Sequence, residues 1–240
     1  MRKQCCVVAL GAALLTAISC SNDPAQQAYL AALRGEEEGM TRREQLALLA
    51  QAIELEPRRA WYRETHAIYA IDLHQFDVAS ADLDTAITLA DRPYLRFLRG
   101  LVACQRGEFA ASLPDFDLAI AGQPENAQFY RGRSLARSHV GRFAEGLKDA
   151  QRLKALVPQQ GETYYALGVA LAGLGRMDEA VRAFDESLRR RPELVYPVLA
   201  RSAAYRRLGD SLKASADLEE AERATRKWDG CAPCMDPFRY

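Results

Sequence analysis

The chain repeats itself about every 34 residues, and that period narrows the fold before any single residue is weighed. Pro124, Pro158 and Pro192 stand 34 residues apart. The stretches that end on them, from Tyr94, Gln128 and Glu162, share one order of apolar, small and turn residues. Apolar residues recur at helical spacing, stop, and recur again. Leu95, Leu98 and Val102 trace one such face, and Phe109, Leu113, Phe116 and Ile120 trace the next. Gly107, Gly141, Gly175 and Gly209 fall in the break, where a left-handed residue lets one helix end and another start. The prolines close the second helix. The fold class is therefore all-α, a solenoid of antiparallel helical hairpins. Small residues mark where helices approach closely: Ala67, Gly100, Ser134, Gly168 and Ser202 form one series, and Ala79, Ser112, Gly146, Ala180 and Ala214 a second.

The pattern resembles the tetratricopeptide repeat family. In residues 161–194, Tyr164, Leu167, Gly168, Leu171, Gly175, Ala180, Phe184 and Pro192 occupy or adjoin the family's signature positions. The resemblance extends over residues 25–226. It gives five clear repeats at about 60–92, 93–126, 127–160, 161–194 and 195–226, and a degenerate first one at about 25–59. In that first repeat the helix from Gln45 to Glu56 is the better half. The resemblance implies a right-handed superhelix.

Two correlations run through the repeats. In the slot of Leu83, Phe116, Phe184 and Leu218 the fourth repeat has Ala150, while three residues on Leu153 replaces Ala86, Ala119, Ser187 and Ala221. One large-to-small and one small-to-large exchange conserve core volume, so Leu153 is expected inside. Arg99, Arg133 and Arg201 are each followed sixteen residues later by Asp115, Asp149 and Asp217. The fifth repeat has Leu167 and Ala183 there, and the second has His66 and Asp82. The joint loss of both charges predicts an ion pair across each hairpin; the alternative is two independent solvated charges.

The first residues read differently. Arg2 and Lys3 precede an apolar run from Cys5 to Ile18, shorter than a membrane span needs and suited to a secretory signal. Ala17-Ile18-Ser19-Cys20 resembles a bacterial lipobox, departing from it at Ala17. The resemblance implies a signal peptide over 1–19, lipidation at Cys20 and a tether over 20–24. Several acyl chains would make the anchoring stable. Ser21, not Asp, follows the cysteine, which implies an outer-membrane protein facing the periplasm.

Charge adds little specificity. There are 32 basic and 32 acidic side chains, so nothing favours nucleic acid as a partner. Of six cysteines, Cys104 reads as a small apolar filler. Cys231 and Cys234 lie in the tail, 227–240, as a CxxC motif. In an oxidising compartment a structural disulfide is expected, with redox and metal or partner roles the alternatives. His66 and His74 in the second repeat and His139 in the fourth lie away from the tail, and no second CxxC exists, so no metal site is expected. Trp228, Phe238 and Tyr240 suggest a tail that caps the last repeat. There is no phosphate loop, HExxH or GxSxG. No catalytic residues and no cofactor are expected.

The family resemblance implies a peptide-binding groove lined by the first helix of each repeat. Its partner-binding residues would be Tyr94, Phe97, Arg131, His139, Tyr165, Tyr196, Arg206 and Arg207. The Lys and Asn with which some members clamp a terminal carboxylate are missing. Tyr and Arg suit interface anchoring. The sequence thus points to a non-enzymatic scaffold that recruits peptides or proteins in the cell envelope. The alternative is a thiol–disulfide accessory using Cys231 and Cys234.

Overall fold

A computed structural model describes residues 23–227 of the chain, in two compact units divided after Ala90. The first unit holds α1 (Pro24–Arg34), α2 (Arg42–Leu55), α3 (Ala60–Asp72) and α4 (Phe76–Leu89). The second holds α5 (Pro93–Gln105), α6 (Phe109–Gly122), α7 (Ala127–His139), α8 (Phe143–Leu156), α9 (Gly161–Gly173), α10 (Met177–Arg190), α11 (Val195–Leu208) and α12 (Ser211–Lys227). The described residues contain helices and no strands. Within each unit, consecutive helices pack as hairpins and each hairpin packs on the next.

In the first unit Ala25, Ala52 and Tyr62 form a core, and the rings of Tyr29 and Tyr62 lie 4.9 Å apart. Gln45 is buried and satisfied, its Nε2 donating to the Ala32 carbonyl at 3.0 Å. The helix α2 begins at Arg42, earlier than its apolar pattern suggests. Thr41 and Glu44 form a capping box that supplies the missing partners for the first turn.

The turns follow the glycine reading, with one addition. Gly107, Gly141, Gly175 and Gly209 have φ of 78°, 79°, 79° and 82°. In the turn from α3 to α4 the same left-handed place is taken by His74, at φ 57°. That conformation is uncommon for a residue with a Cβ, although histidine is among those that tolerate it.

In the second unit large rings are matched to missing side chains. A Cβ on Gly100 would lie 2.9 Å from the Phe116 ring, and one on Gly168 would lie 2.4 Å from Phe184. Where that slot is Ser134 or Ser202, the hydroxyl donates across the hairpin at 2.8 Å, to the carbonyls of Gly146 and Ala214. The partner slots then hold Ala150 and Leu218. Leu153 and Ala150 are both buried, so the exchanged volumes do share the interior. At α12 the outward slots turn polar. Ser215 stands where α6, α8 and α10 carry Leu113, Leu147 and Val181, and Glu222 where they carry Ile120, Lys154 and Leu188. Both are exposed, and Leu218 is 41% exposed.

Candidate functional site: the face of the first helices

Paired charges fix three of the hairpins that carry the site. Arg99 donates to both oxygens of Asp115 at 2.7 Å. Arg133 does so to Asp149 at 2.9 and 2.7 Å, and Arg201 to Asp217 at 3.0 and 2.7 Å. All three aspartates are buried. The geometry is the bidentate fork that makes Arg–carboxylate pairs strong. His66 takes the arginine's place in the first unit, its Nδ1 2.5 Å from Asp82, and Arg63 joins them at 3.0 Å. The hydrogen bond to Asp217 raises the pKa of Arg201.

The pairs also reach backwards, which the sequence reading missed. Arg133 donates to Asp117 at 2.7 Å, and Arg201 to Asp185 at 2.6 Å. Those aspartates lie sixteen residues before the arginine, in the preceding hairpin. The same spacing read in the other direction would have found them. Arg133 and Arg201 thus each join two hairpins through an Asp–Arg–Asp bridge, whereas Arg99 has Leu83 sixteen residues before it.

Successive first helices α5, α7, α9 and α11 lie side by side. The rings of Tyr165 and Tyr196 meet edge-to-face at 4.4 Å. Burial raises the pKa of the Tyr196 hydroxyl, as does nearby Glu162, against the pull of Arg131. Arg191 pairs with Glu162 at 3.0 Å. Further along, Arg207 donates to the Ala172 carbonyl at 3.2 Å. His139 stacks on Phe109, ring centres 4.1 Å apart, which takes one side of the imidazole out of water and lowers its pKa.

The structure therefore sorts the sequence-derived groove residues. Tyr94, Arg131 and Tyr165 are half-buried, and His139, Arg206 and Arg207 are exposed. Phe97 has no exposed surface. It packs against Phe129 at 4.9 Å and Phe116 at 6.1 Å, and its expected role as a groove contact gives way to one in the core. Tyr196, 8% exposed, is nearly as enclosed and acts as the backing of Tyr165. Leu101 and Leu135 are buried, whereas Leu199 is 42% exposed. Cys104 is buried, its Sγ 3.3 Å from the Ser112 hydroxyl. Cys20, Cys231 and Cys234, and with them the lipidation, disulfide and tail-cap expectations, lie outside the described residues.

This face offers an aromatic patch and three arginines. Among the described residues no cluster of three or more His, Cys, Asp or Glu could hold a metal ion. No described helix is long and apolar enough to cross a membrane.

Models described as "Tetratricopeptide repeat" match residues 161–194, and residues 65–127 and 97–160. The chain belongs to the tetratricopeptide repeat family. The matched residues stop short of α1–α2 and α11–α12, which are helical hairpins all the same. No curated protein matches the chain. Solved structures do. A tetratricopeptide repeat protein from Parabacteroides merdae is 14% identical, with a TM-score of 0.71 over 88% of this chain and 83% of that one. PilW, described as a widely conserved type IV pilus biogenesis factor, is 17% identical, with a TM-score of 0.69 over 91% of this chain and 98% of its own. YrrB, described as having an unusual peptide-binding site, is 17% identical, with a TM-score of 0.61 over 79% and 97%. At these identities the likeness is one of fold.

Proposed function

We propose that this tetratricopeptide repeat protein is a non-enzymatic scaffold that binds a peptide or protein segment along the first helices of its second unit. The observation that supports the reading most is the half-buried Tyr165 packed on Tyr196, with Arg131 near enough to act on the Tyr196 hydroxyl and Arg206 and Arg207 exposed on α11. Such a surface suits apolar anchors followed by carboxylates. Cys20 would carry lipids that hold the protein at the bacterial outer membrane, facing the periplasm. Its work would be the recruitment of partners to an envelope assembly. A protein of the same fold is a pilus biogenesis factor, so pilus components are the first partners to look for.

The test is photo-crosslinking in cells from residues 131 and 206. The expected result is one dominant envelope protein, lost when Arg131→Ala and Arg206→Ala are combined. No capture from either position, with the protein folded and present, would overturn the reading. Cys20→Ala should move the protein out of the membrane fraction; retention there would overturn the anchor.

A further inference from the structure

The Asp–Arg–Asp bridge is deleted as a unit at one place. Arg133 reaches Asp117 and Asp149, and Arg201 reaches Asp185 and Asp217. In the hairpin α9–α10 the middle position is Leu167, and the two positions sixteen residues to either side are Gln151 and Ala183. All three members are gone together. A cleft of about 350 Å³ lies there, with Leu147, Leu167, Leu171 and Ala183 among its lining.

The cleft is separate from the peptide face. Along α9, Leu167 and Leu171 share one side, while Tyr165 and Val169 share another, as 3.6 residues per turn requires. Its rim is more basic than the bridge it replaces. Lys154 and Arg182 line it, both exposed, and neither forms an ion pair among the described residues. The acids on the rim are engaged: Glu179 with Arg176 at 2.6 Å, and Glu186 with Arg189 at 2.6 Å and with Arg190 at 2.5 Å. Tyr164 lies between two cations, with Arg190 4.5 Å and Lys154 5.5 Å from its ring centre.

We infer that this cleft is a second docking site, for a protein segment that places one apolar side chain between flanking carboxylates. The side chain would rest on Leu167 and Ala183, where the bridge is missing. The carboxylates would meet Lys154 and Arg182 and supply the negative charge that Asp residues give in the other hairpins.

The experiment uses methyl NMR on the full chain. One probe is a capped hexapeptide with Leu-Phe flanked by two acidic residues on each side, and the other is its twin with lysines in place of the acids. The acidic peptide should shift the methyls of Leu147 and Leu171 saturably, and those of Val169 much less. Leu167→Arg/Ala183→Asp restores the Arg–Asp fork of the neighbouring hairpins, though not the third member at Gln151, and should abolish the shifts. Lys154→Glu/Arg182→Glu alters only exposed charges and should weaken binding about tenfold. Four results would overturn the proposal. These are equal shifts from the lysine twin, shifts at Val169 alone, no shifts with millimolar peptide, or shifts that survive both double substitutions. Two others would replace the occupant and overturn it equally. If deleting residues 228–240 moves the leucine methyls without peptide, the chain's own tail sits there. If the methyls move with protein concentration alone, a second copy does.

Discussion

The adjacent hairpins α7–α8 and α9–α10 fill the same space by opposite means. One places Arg133, Arg137 and Asp149 where the other has Leu167, Leu171 and Ala183. One packs Ser134, Ala150 and Leu153 where the other has Gly168, Phe184 and Ser187. At the end of the first helix one has His139 under Phe109, and the other has Gly173, whose missing Cβ leaves room for Phe143. The difference teaches that a repeat position does not specify a residue. It specifies a volume and a charge balance, shared among several slots. A polar solution and an apolar one are both stable when complete.

Half-completed exchanges should therefore be costly, the charged one most of all. Asp149→Ala copies the residue of the next hairpin but leaves Arg133 and Arg137 without the carboxylate both use at 2.7 Å. The expected cost is about 3–5 kcal/mol in urea unfolding, the usual penalty for breaking a buried pair. The complete exchange Arg201→Leu/Asp217→Ala should cost less than Asp217→Ala alone. If the single and double substitutions cost the same, the idea of complete alternative solutions fails.

Gly168→Ala comes next. Its Cβ would sit 2.4 Å from a ring that is fully enclosed, so overpacking of about 1–3 kcal/mol is expected. A calorimetric melting temperature no lower than that of the parent would show that Phe184 can move. Ser187→Ala should go the other way. The Ser187 hydroxyl is buried with no hydrogen-bond partner among the described residues, and removing it should raise stability by about 1 kcal/mol.

The smallest effect concerns pH. Partial desolvation of the ring, one face of which lies on Phe109 while the residue as a whole stays exposed, lowers the His139 pKa in the folded protein, so the unfolded chain takes up a proton first as pH falls. Stability from this group is full above the unfolded value of about 6.5 and declines as pH drops below it. His139→Gly, which copies the neighbouring hairpin, should narrow the gap between melting temperatures at pH 7.5 and 5.5. An unchanged gap would mean that the stack on Phe109 does not govern this titration.

What could be read in advance follows the same logic. Features within one hairpin were legible, because their spacing is fixed by the turn: the Arg–Asp forks, the glycine turns, and the Ala150–Leu153 exchange. Features that depend on the next hairpin were less so. Phe97 has the spacing of a groove residue, and only the placement of Phe129 over it shows that it is core. Tyr196 is hidden by Tyr165 in the same way. The match of glycine to phenylalanine at Gly100–Phe116 and Gly168–Phe184 was present in the sequence. It escapes notice when small residues are treated as one class, since a serine there forms a hydrogen bond and a glycine admits a ring. His74 gave no sign of its left-handed backbone, because the signal sought was glycine.

The polar outward face of α12 carries a meaning beyond its own hairpin. Any protein built from one repeated unit can in principle add copies of itself end to end, because each unit's surface is complementary to the next. Such a contact does not close on itself and would grow into a fibre. Ser215 and Glu222 put polar groups in two slots that would face a next unit, while Leu212 and Leu218 on the same helix stay exposed. Those two side chains weaken, at their slots, the contact through which a further copy would add.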